Sequence, residues 1–226
     1  MNNYIAKIKH SLPILLLGLY ILEFSWLAIN PTDRSVWWAE NIPVLTVVIF
    51  LVLTYRKFRF SNPAYVLMAF FLMYHTVGGH FTFERTPFDF FDDLLNRLKL
   101  GFLFPAGRNN FDRVGHFLVG VFAYPIAEWL YCKKMVRNLG LAVAVGVLAL
   151  GFWGALYEII EMLYAVSVGG SSGQSFLGSQ GDIWDAQKDT LLDILGAITV
   201  VVIGWKSLKS CRSSEKQEEK SLRVGV

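Results

Sequence analysis

Six apolar stretches long enough to span a membrane, none with period-2 alternation, fix what this chain can become. They run over 11–29, 41–55, 62–81, 115–131, 139–168 and 189–205. A hydrocarbon core about 30 Å thick takes about 20 residues of helix. Inside lipid every backbone N–H and C=O must be satisfied internally, which permits helices or a closed barrel. A barrel needs alternating strands, and these are absent. Composition agrees, since 54% of the 226 residues are hydrophobic and only 17% are charged. The expectation is an all-α, polytopic membrane helix bundle of about six transmembrane helices, one membrane domain over 1–209. The stretch 41–55 is short and borrows flanking residues, whereas 139–168 is long enough to tilt or leave the bilayer. No internal repeat is evident. Residues 210–226 are polar and charged, and read as a disordered cytoplasmic tail.

Lys and Arg set the orientation. Lys7 and Lys9 precede the first span, Arg56, Lys57 and Arg59 follow the second, and Lys133, Lys134 and Arg137 follow the fourth. Lys206, Lys209 and the basic residues of the tail follow the sixth. In the alternate loops Arg34 stands against Asp33 and Glu40, and Lys188 against Asp182 and Asp185. The positive-inside rule then puts both termini in the cytoplasm. Trp26, Trp37 and Trp38 would anchor one interface, and Trp129, Tyr131 and Trp205 the other. Cys132 and Cys211 fall on the cytoplasmic side, so no disulfide is expected. The first apolar run is of span length, contains Glu23 and lacks a small-x-small cleavage site, which favours an uncleaved helix over a signal peptide.

Between the third and fourth spans, Thr86 and Pro87 resemble a helix start and Gly101 a stop. Phe91, Leu94, Leu95, Leu98 and Phe102 form an apolar stripe at helical spacing. An amphipathic surface helix lying on the outer leaflet is one reading; packing of the stripe on neighbouring spans is the other.

Ionisable side chains gather at the outer ends of the spans, where hydrocarbon tolerates them only with a partner or a role. Asp112 and His116, four apart, share one helix face, and the carboxylate there can fix the imidazole tautomer for acid–base work or metal binding. Glu158 and Glu161, three apart within the fifth span, are too close for both to ionise comfortably without a proton or a cation. With Asp112 and His116 they are the candidate catalytic residues. Asp182, Asp185, Asp189 and Asp193 line one face of a helix entering the membrane. Helix-dipole complementarity accounts for the first two. Asp193, about 12 Å beyond Asp185 along the axis, needs a partner, which His75, His80, His116, a metal or Arg113 could supply. His75 and His80 close the third span, and Gly78 and Gly79 could break the helix and turn His80 back. His75, His80 and these four aspartates are the candidate metal ligands. A divalent metal is the cofactor this pattern admits: magnesium would favour the carboxylates, zinc would recruit His75, His80 or His116.

At these residues a resemblance enters. Tyr74-His-Thr-Val-Gly-Gly-His80, Asp112-Arg-Val-Gly-His116, Tyr157-Glu-Ile-Ile-Glu161 and the stretch from Phe176 to Lys188 and Asp189 resemble the YjdF-type family of uncharacterised bacterial inner-membrane proteins over nearly the whole chain. That resemblance implies a topology and no reaction. A weaker similarity, over about 112–197, is to VanZ-like membrane proteins, whose pattern is Asp-Lys-x-x-His, then Glu-x-x-Gln, then Asp-x-x-x-Asn-x-x-Gly-Ala. Asp112 with His116, Glu158 with Glu161, and Asp189 with Asp193, Gly196 and Ala197 mirror its three parts. This chain has Glu161 where Gln is usual and Asp193 where Asn is usual, which strengthens cation binding and weakens transfer of a VanZ-type role in the cell envelope.

Three functions stay open. The site could act on a lipid headgroup or a lipid-linked cell-envelope intermediate at the outer leaflet. The acids could form the path of an ion- or proton-coupled carrier, although Glu128 is the sole clear acid in the cytoplasmic half. The cluster could hold helices together in a non-catalytic envelope protein. Membrane lipids are the expected partners and a homo-oligomer stays open. Nucleic acid is excluded, because topology explains the basic residues. No nucleophile elbow, P-loop, dinucleotide fingerprint or zinc-type Cys pattern is present.

Overall fold

Helix is the only regular structure among the described residues, 2–211 of the computed structural model, with side chains described from residue 11 onward. α1 (Asn2–Leu27), α2 (Arg34–Thr54) and α3 (Asn62–Phe81) come first, and α3 packs against both of the others. α4 (Asp89–Arg97) lies in the long loop. α5 (Phe111–Val119), a 3-10 turn at Gly120–Phe122, and α6 (Ala123–Cys132) follow one another over the stretch expected as the fourth span. α7 (Leu139–Val168), α8 (Gly170–Leu177), α9 (Asp185–Ile203) and α10 (Trp205–Cys211) complete the chain.

Local chemistry sets the ends. Asp33 caps α2 by accepting from the N–H groups of Ser35 and Val36 at 2.8 and 3.1 Å, and Asn138 caps α7 through Gly140 and Leu141. α2 and α7 are each long and apolar enough to cross a membrane, and α9 with α10, bent by 59°, forms a third such unit if counted as one broken span. The apolar part of α1, Ser11–Leu27, is shorter. At 30 residues, α7 measures about 45 Å, longer than the hydrocarbon core. Leu22, Leu53, Leu148, Phe152, Val166 and Ile203 are all at least 70% exposed; apolar surface on that scale belongs against lipid.

Small residues set the tightest packing. A Cβ on Gly196 would fall on the backbone carbonyl of Phe117, and one on Gly120 would fall on the backbone of Gly196 and Ala197. Close approach of backbones through such residues is how membrane helices pack without a hydrophobic driving force. It holds α5 and α9, the two helices that carry the site, in contact.

Several expectations need correction. The second helix begins at Arg34, so Glu40 lies inside it. Trp37 is 2% exposed and packs on Phe24 instead of anchoring an interface. α3 runs unbroken through Gly78 and Gly79 and ends at Thr82, which takes the left-handed conformation; the glycines make room for the Phe83 ring and for Asn41 and Glu40. Cys132 and Cys211 are joined in a disulfide with Cα atoms 6.0 Å apart. The expectation of free thiols rested on the side of the membrane, whereas the bond follows from α6 packing beside α9, whose continuation α10 ends at Cys211. Residues 210 and 211 are helical, and the rest of the expected tail lies outside the described residues.

α4 forms within the expected amphipathic stretch. Phe90, Phe91, Leu94 and Leu98 are exposed, while Leu95 packs onto the cluster of Phe83, Phe88 and Phe111. Leu95 thus packs as the second reading expects, and the rest of the stripe is left uncovered among the described residues.

Candidate functional site

Two layers of charge meet where α5, α7 and α9 converge. The outer layer is an arginine–carboxylate lattice. Arg113, fully buried, donates to the Leu103 carbonyl at 2.7 Å, to Asp182 at 2.8 Å and to Asp185 at 2.6 Å. Its Nε lies 3.0 Å from Asp189 Oδ1. Arg108 donates to Asp185 at 2.5 Å and to the Ser179 carbonyl at 2.9 Å, and stands 3.9 Å from Asp112. Asp182 also accepts from Lys188 at 2.6 Å and from the Trp184 N–H at 3.0 Å. The Lys188 ammonium, followed by the Trp184 and Arg113 hydrogen bonds, holds its carboxyl well below the usual range. Asp182 and Asp185, expected as solvated or metal-binding positions, are thus the anions that neutralise two arginines.

The inner layer centres on His116. Its Nδ1 is 3.1 Å from Asp193 Oδ1, and its Nε2 is 3.7 Å from both Asp112 and Glu158. Asp193 reaches the imidazole because Gly154 leaves space on α7: a Cβ there would collide with Asp193 Oδ2. Asp112, His116 and Asp189 each offer a ligand atom within 4.8 Å of the others. Buried oxygens of Glu158, Asp189 and Asp193 have no hydrogen-bond partner.

A third group lies beside this pair of layers. Tyr157 donates to Glu40 Oε2 at 2.7 Å, and His75 Nε2 sits 3.3 Å from the same oxygen. Glu161, 7% exposed, lines the same cavity as these residues. His80 is elsewhere: its Nδ1 is 2.8 Å from the Leu27 carbonyl, and its own carbonyl accepts from Thr32, so it ties the α1–α2 turn to α3.

The cavity that opens onto these groups has a volume of about 370 Å3, within the range of small-ligand sites. Four helical stretches, α5 with α6 counted as one, line it with polarity in the same order; Asp193, Phe176 and Phe83, the last with its ring 5.0 Å from that of His75, also line it. On α5 and α6 the order is Asp112, His116, Val119, Phe122, Ile126; on α2 it is Glu40, Val44, Val47; on α3 it is His75, then Leu72 and Phe71. On α7 it is Glu161, Tyr157, then Trp153, Leu150 and Ala149. From Ala149 to Glu161 is about 18 Å of helix axis. The cavity is a slot, charged at one end and hydrocarbon at the other.

Of the ten candidate residues, the structure gathers Asp112, His116, Glu158, Asp189 and Asp193 into one cluster, places His75 and Glu161 along its slot, assigns Asp182 and Asp185 to the arginine lattice and separates His80. Sequence reasoning missed Glu40, Tyr157 and Arg108. Glu40 carried the only available signal, an acid next to an apolar run.

The family model described as "Predicted membrane protein (DUF2238)" matches residues 12–210. Inner membrane protein YjdF of Escherichia coli (strain K12) is 32% identical over 181 residues, 77% of this chain and 79% of that protein. No solved structure matches. The likeness to VanZ-like proteins rests on the motifs alone.

Proposed function

The chain belongs to the DUF2238 family of predicted membrane proteins, and from that premise we propose that it receives a single-chain segment of a membrane lipid, or of a lipid-linked envelope intermediate, in the slot and acts on the headgroup at the His116 cluster. The observation that carries this reading is the repeated order of polarity, acids and imidazoles followed by aliphatic and aromatic side chains, on all four walls. A headgroup and its hydrocarbon chain have the same order. The chemistry available is proton transfer: Asp193 fixes the imidazole through Nδ1, leaving Nε2 facing Asp112 and Glu158 as base or acid.

The similarity to an inner-membrane protein supports the inner membrane as the location. The basic loops support an orientation with both termini in the cytoplasm and the cluster at the outer leaflet. A proton- or ion-coupled carrier is the weaker reading. Glu128, at the opposite end of the bundle, is taken up by the N–H of Ser61 at 2.7 Å and its hydroxyl at 2.6 Å. Acids along the slot therefore stop halfway among the described residues.

The test is the lipid profile of cells lacking the chain, complemented with wild type or with His116→Ala. A headgroup or lipid-linked species that accumulates in the deletion, and is cleared by wild type alone, is the expected result. Identical profiles in all strains would refute action on a lipid.

A further inference from the structure

We propose that Asp112, His116 and Asp189 bind one divalent metal ion of the zinc or manganese class, with Asp193 orienting the histidine and Glu158 standing beside the open position. This site rests on donor geometry, burial and charge and not on the lipid reading; with an ion held, His116 Nε2 is a ligand and proton transfer passes to Glu158.

Three observations converge. The first is spacing. Donors around a tetrahedral ion at 2.0–2.2 Å stand about 3.4 Å from each other. His116 Nε2 lies 3.7 Å from Asp112 Oδ1, and the ligand atoms of Asp112, His116 and Asp189 all fall within 4.8 Å of one another. Closing by a few tenths of an ångström on Asp112, and by more on the widest pair, brings all three onto one ion. Asp112 and His116 are on one helix face and Asp189 is on the helix packed against it, held on its other side by Arg113.

The second observation is that His116 is oriented as a metal ligand. Metal-binding imidazoles almost always donate the second ring N–H to a carboxylate or carbonyl, which fixes the tautomer and frees the other nitrogen. His116 Nδ1 has Asp193 at 3.1 Å, and Asp193 is itself fully buried. His116 is 9% exposed, and its Nε2 makes no hydrogen bond among the described residues and lies 3.7 Å from both Asp112 and Glu158.

The third observation is the unsatisfied polar inventory. Asp193 is fully buried and its Oδ2 has no hydrogen bond, Glu158 Oε1 has none either, and the buried Asp189 Oδ1 has only the Arg113 Nε, 3.0 Å away, as an ion-pair neighbour. A native interior leaves few such atoms, and each calls for an explanation such as an ion. Charge agrees. Arg108 and Arg113 are shared among Asp182, Asp185 and Asp189, with Asp112 3.9 Å from Arg108, so the six carboxylates of both layers, Asp112, Glu158, Asp182, Asp185, Asp189 and Asp193, outnumber the two guanidiniums, Lys188 and one imidazole. A divalent cation offsets that excess. One imidazole and two carboxylates are a borderline donor set, suited to zinc or manganese ahead of magnesium or calcium. With three protein donors the fourth position stays open, the arrangement of a catalytic and not a structural site.

The experiment is elemental mass spectrometry of the detergent-purified full chain, loaded separately with Zn2+ and Mn2+ and then dialysed. One equivalent per chain is expected in wild type and in Asp89→Asn, whose carboxylate is on exposed α4. Asp112→Asn and His116→Gln, shown to be folded by a single gel-filtration peak, should lose it. Asp193→Asn, which keeps every donor, should bind 10–100-fold more weakly. Should the variants fail to fold, pulsed electron paramagnetic resonance of Mn2+-loaded wild type gives an answer without them: coupling to a histidine nitrogen is expected, and its absence overturns the site. Less than a tenth of an equivalent in loaded wild type, or binding that persists unchanged in Asp112→Asn and His116→Gln, would also overturn it.

Discussion

Replacing Arg113 by methionine should destabilise the bundle far more than the loss of any one hydrogen bond. The side chain is fully buried and serves four acceptors: the Leu103 carbonyl, Asp182, Asp185 and Asp189. Methionine fills much of the volume and restores none of the charge. The acids are left unequally. Asp182 keeps Lys188 at 2.6 Å and Asp185 keeps Arg108 at 2.5 Å, whereas Asp189 retains no guanidinium. Removing one partner of a buried ion pair costs about 3–5 kcal/mol, because the other charge stays behind. Denaturant unfolding in mixed micelles should register a loss of that size in Arg113→Met. The double variant Arg113→Met with Asp189→Asn removes the stranded charge along with the cation, and a coupling of about 0.5–3 kcal/mol should return. A loss below about 1 kcal/mol in the single variant, the scale of an exposed pair, would refute the claim that the lattice is a desolvated structural unit.

Three further outcomes follow from particular contacts. Gly154→Ala should cost about 1–3 kcal/mol of stability, since its Cβ would displace Asp193 from His116, while Gly18→Ala, with nothing within 4 Å of the new carbon, should gain up to about 1 kcal/mol from helix propensity; equal effects in unfolding assays would contradict the packing. Asp33, bonded first by the Ser172 hydroxyl and then by Ser35, is lowered from 3.8 to about 2. A depressed acid stabilises fully above its unfolded value and loses that contribution as pH falls through its folded one, so the stability difference between wild type and Asp33→Asn should shrink from about pH 4 to about pH 2; a difference independent of pH would sink this. Maleimide labelling of the denatured, unreduced chain should find no thiol, because Cys132 and Cys211 are bonded, and two labelled thiols would contradict the pairing. Repeated on protein trapped in living cells, the same labelling tests the orientation expected from the basic loops: a cytoplasmic end would give free thiols, and a persistent bond would place that end in an oxidising compartment.

How far the sequence could be read depended on whether the determining contacts were local. The helices over 62–81 and 139–168 were legible to the residue, because Ser61 with Pro63 and Asn138 with Gly169 punctuate them chemically. The start of α2 was not, since Glu40 looks like a loop charge until Tyr157 and His75, from two other helices, are seen to bond it. α8 could not be read at all. Its Gly- and Ser-rich sequence has poor helix propensity, and it is held by long-range contacts, Ser172 to Asp33 and Ser175 to Glu84. At the site, depth within an apolar span marked Asp193 and Glu158 as needing partners. Spacing also paired Asp112 with His116. Arg113 could be named only as one candidate partner of a deep acid, and the part of Arg108 left no trace, because it meets Asp185 across 77 positions of chain and no periodicity encodes that meeting. His80 misled for the opposite reason, since its position at a span end fits a ligand and a turn staple equally well.

The most direct test of the slot is native mass spectrometry of the chain released from detergent, comparing wild type with Leu150→Trp. Leu150 lines the apolar half and is 3% exposed, so a tryptophan there takes up the space assigned to a hydrocarbon chain without touching the charged end. The account predicts a lipid-sized mass adduct on wild type that is lost from the folded variant. An adduct retained unchanged by Leu150→Trp would place the bound lipid outside the slot and contradict the account.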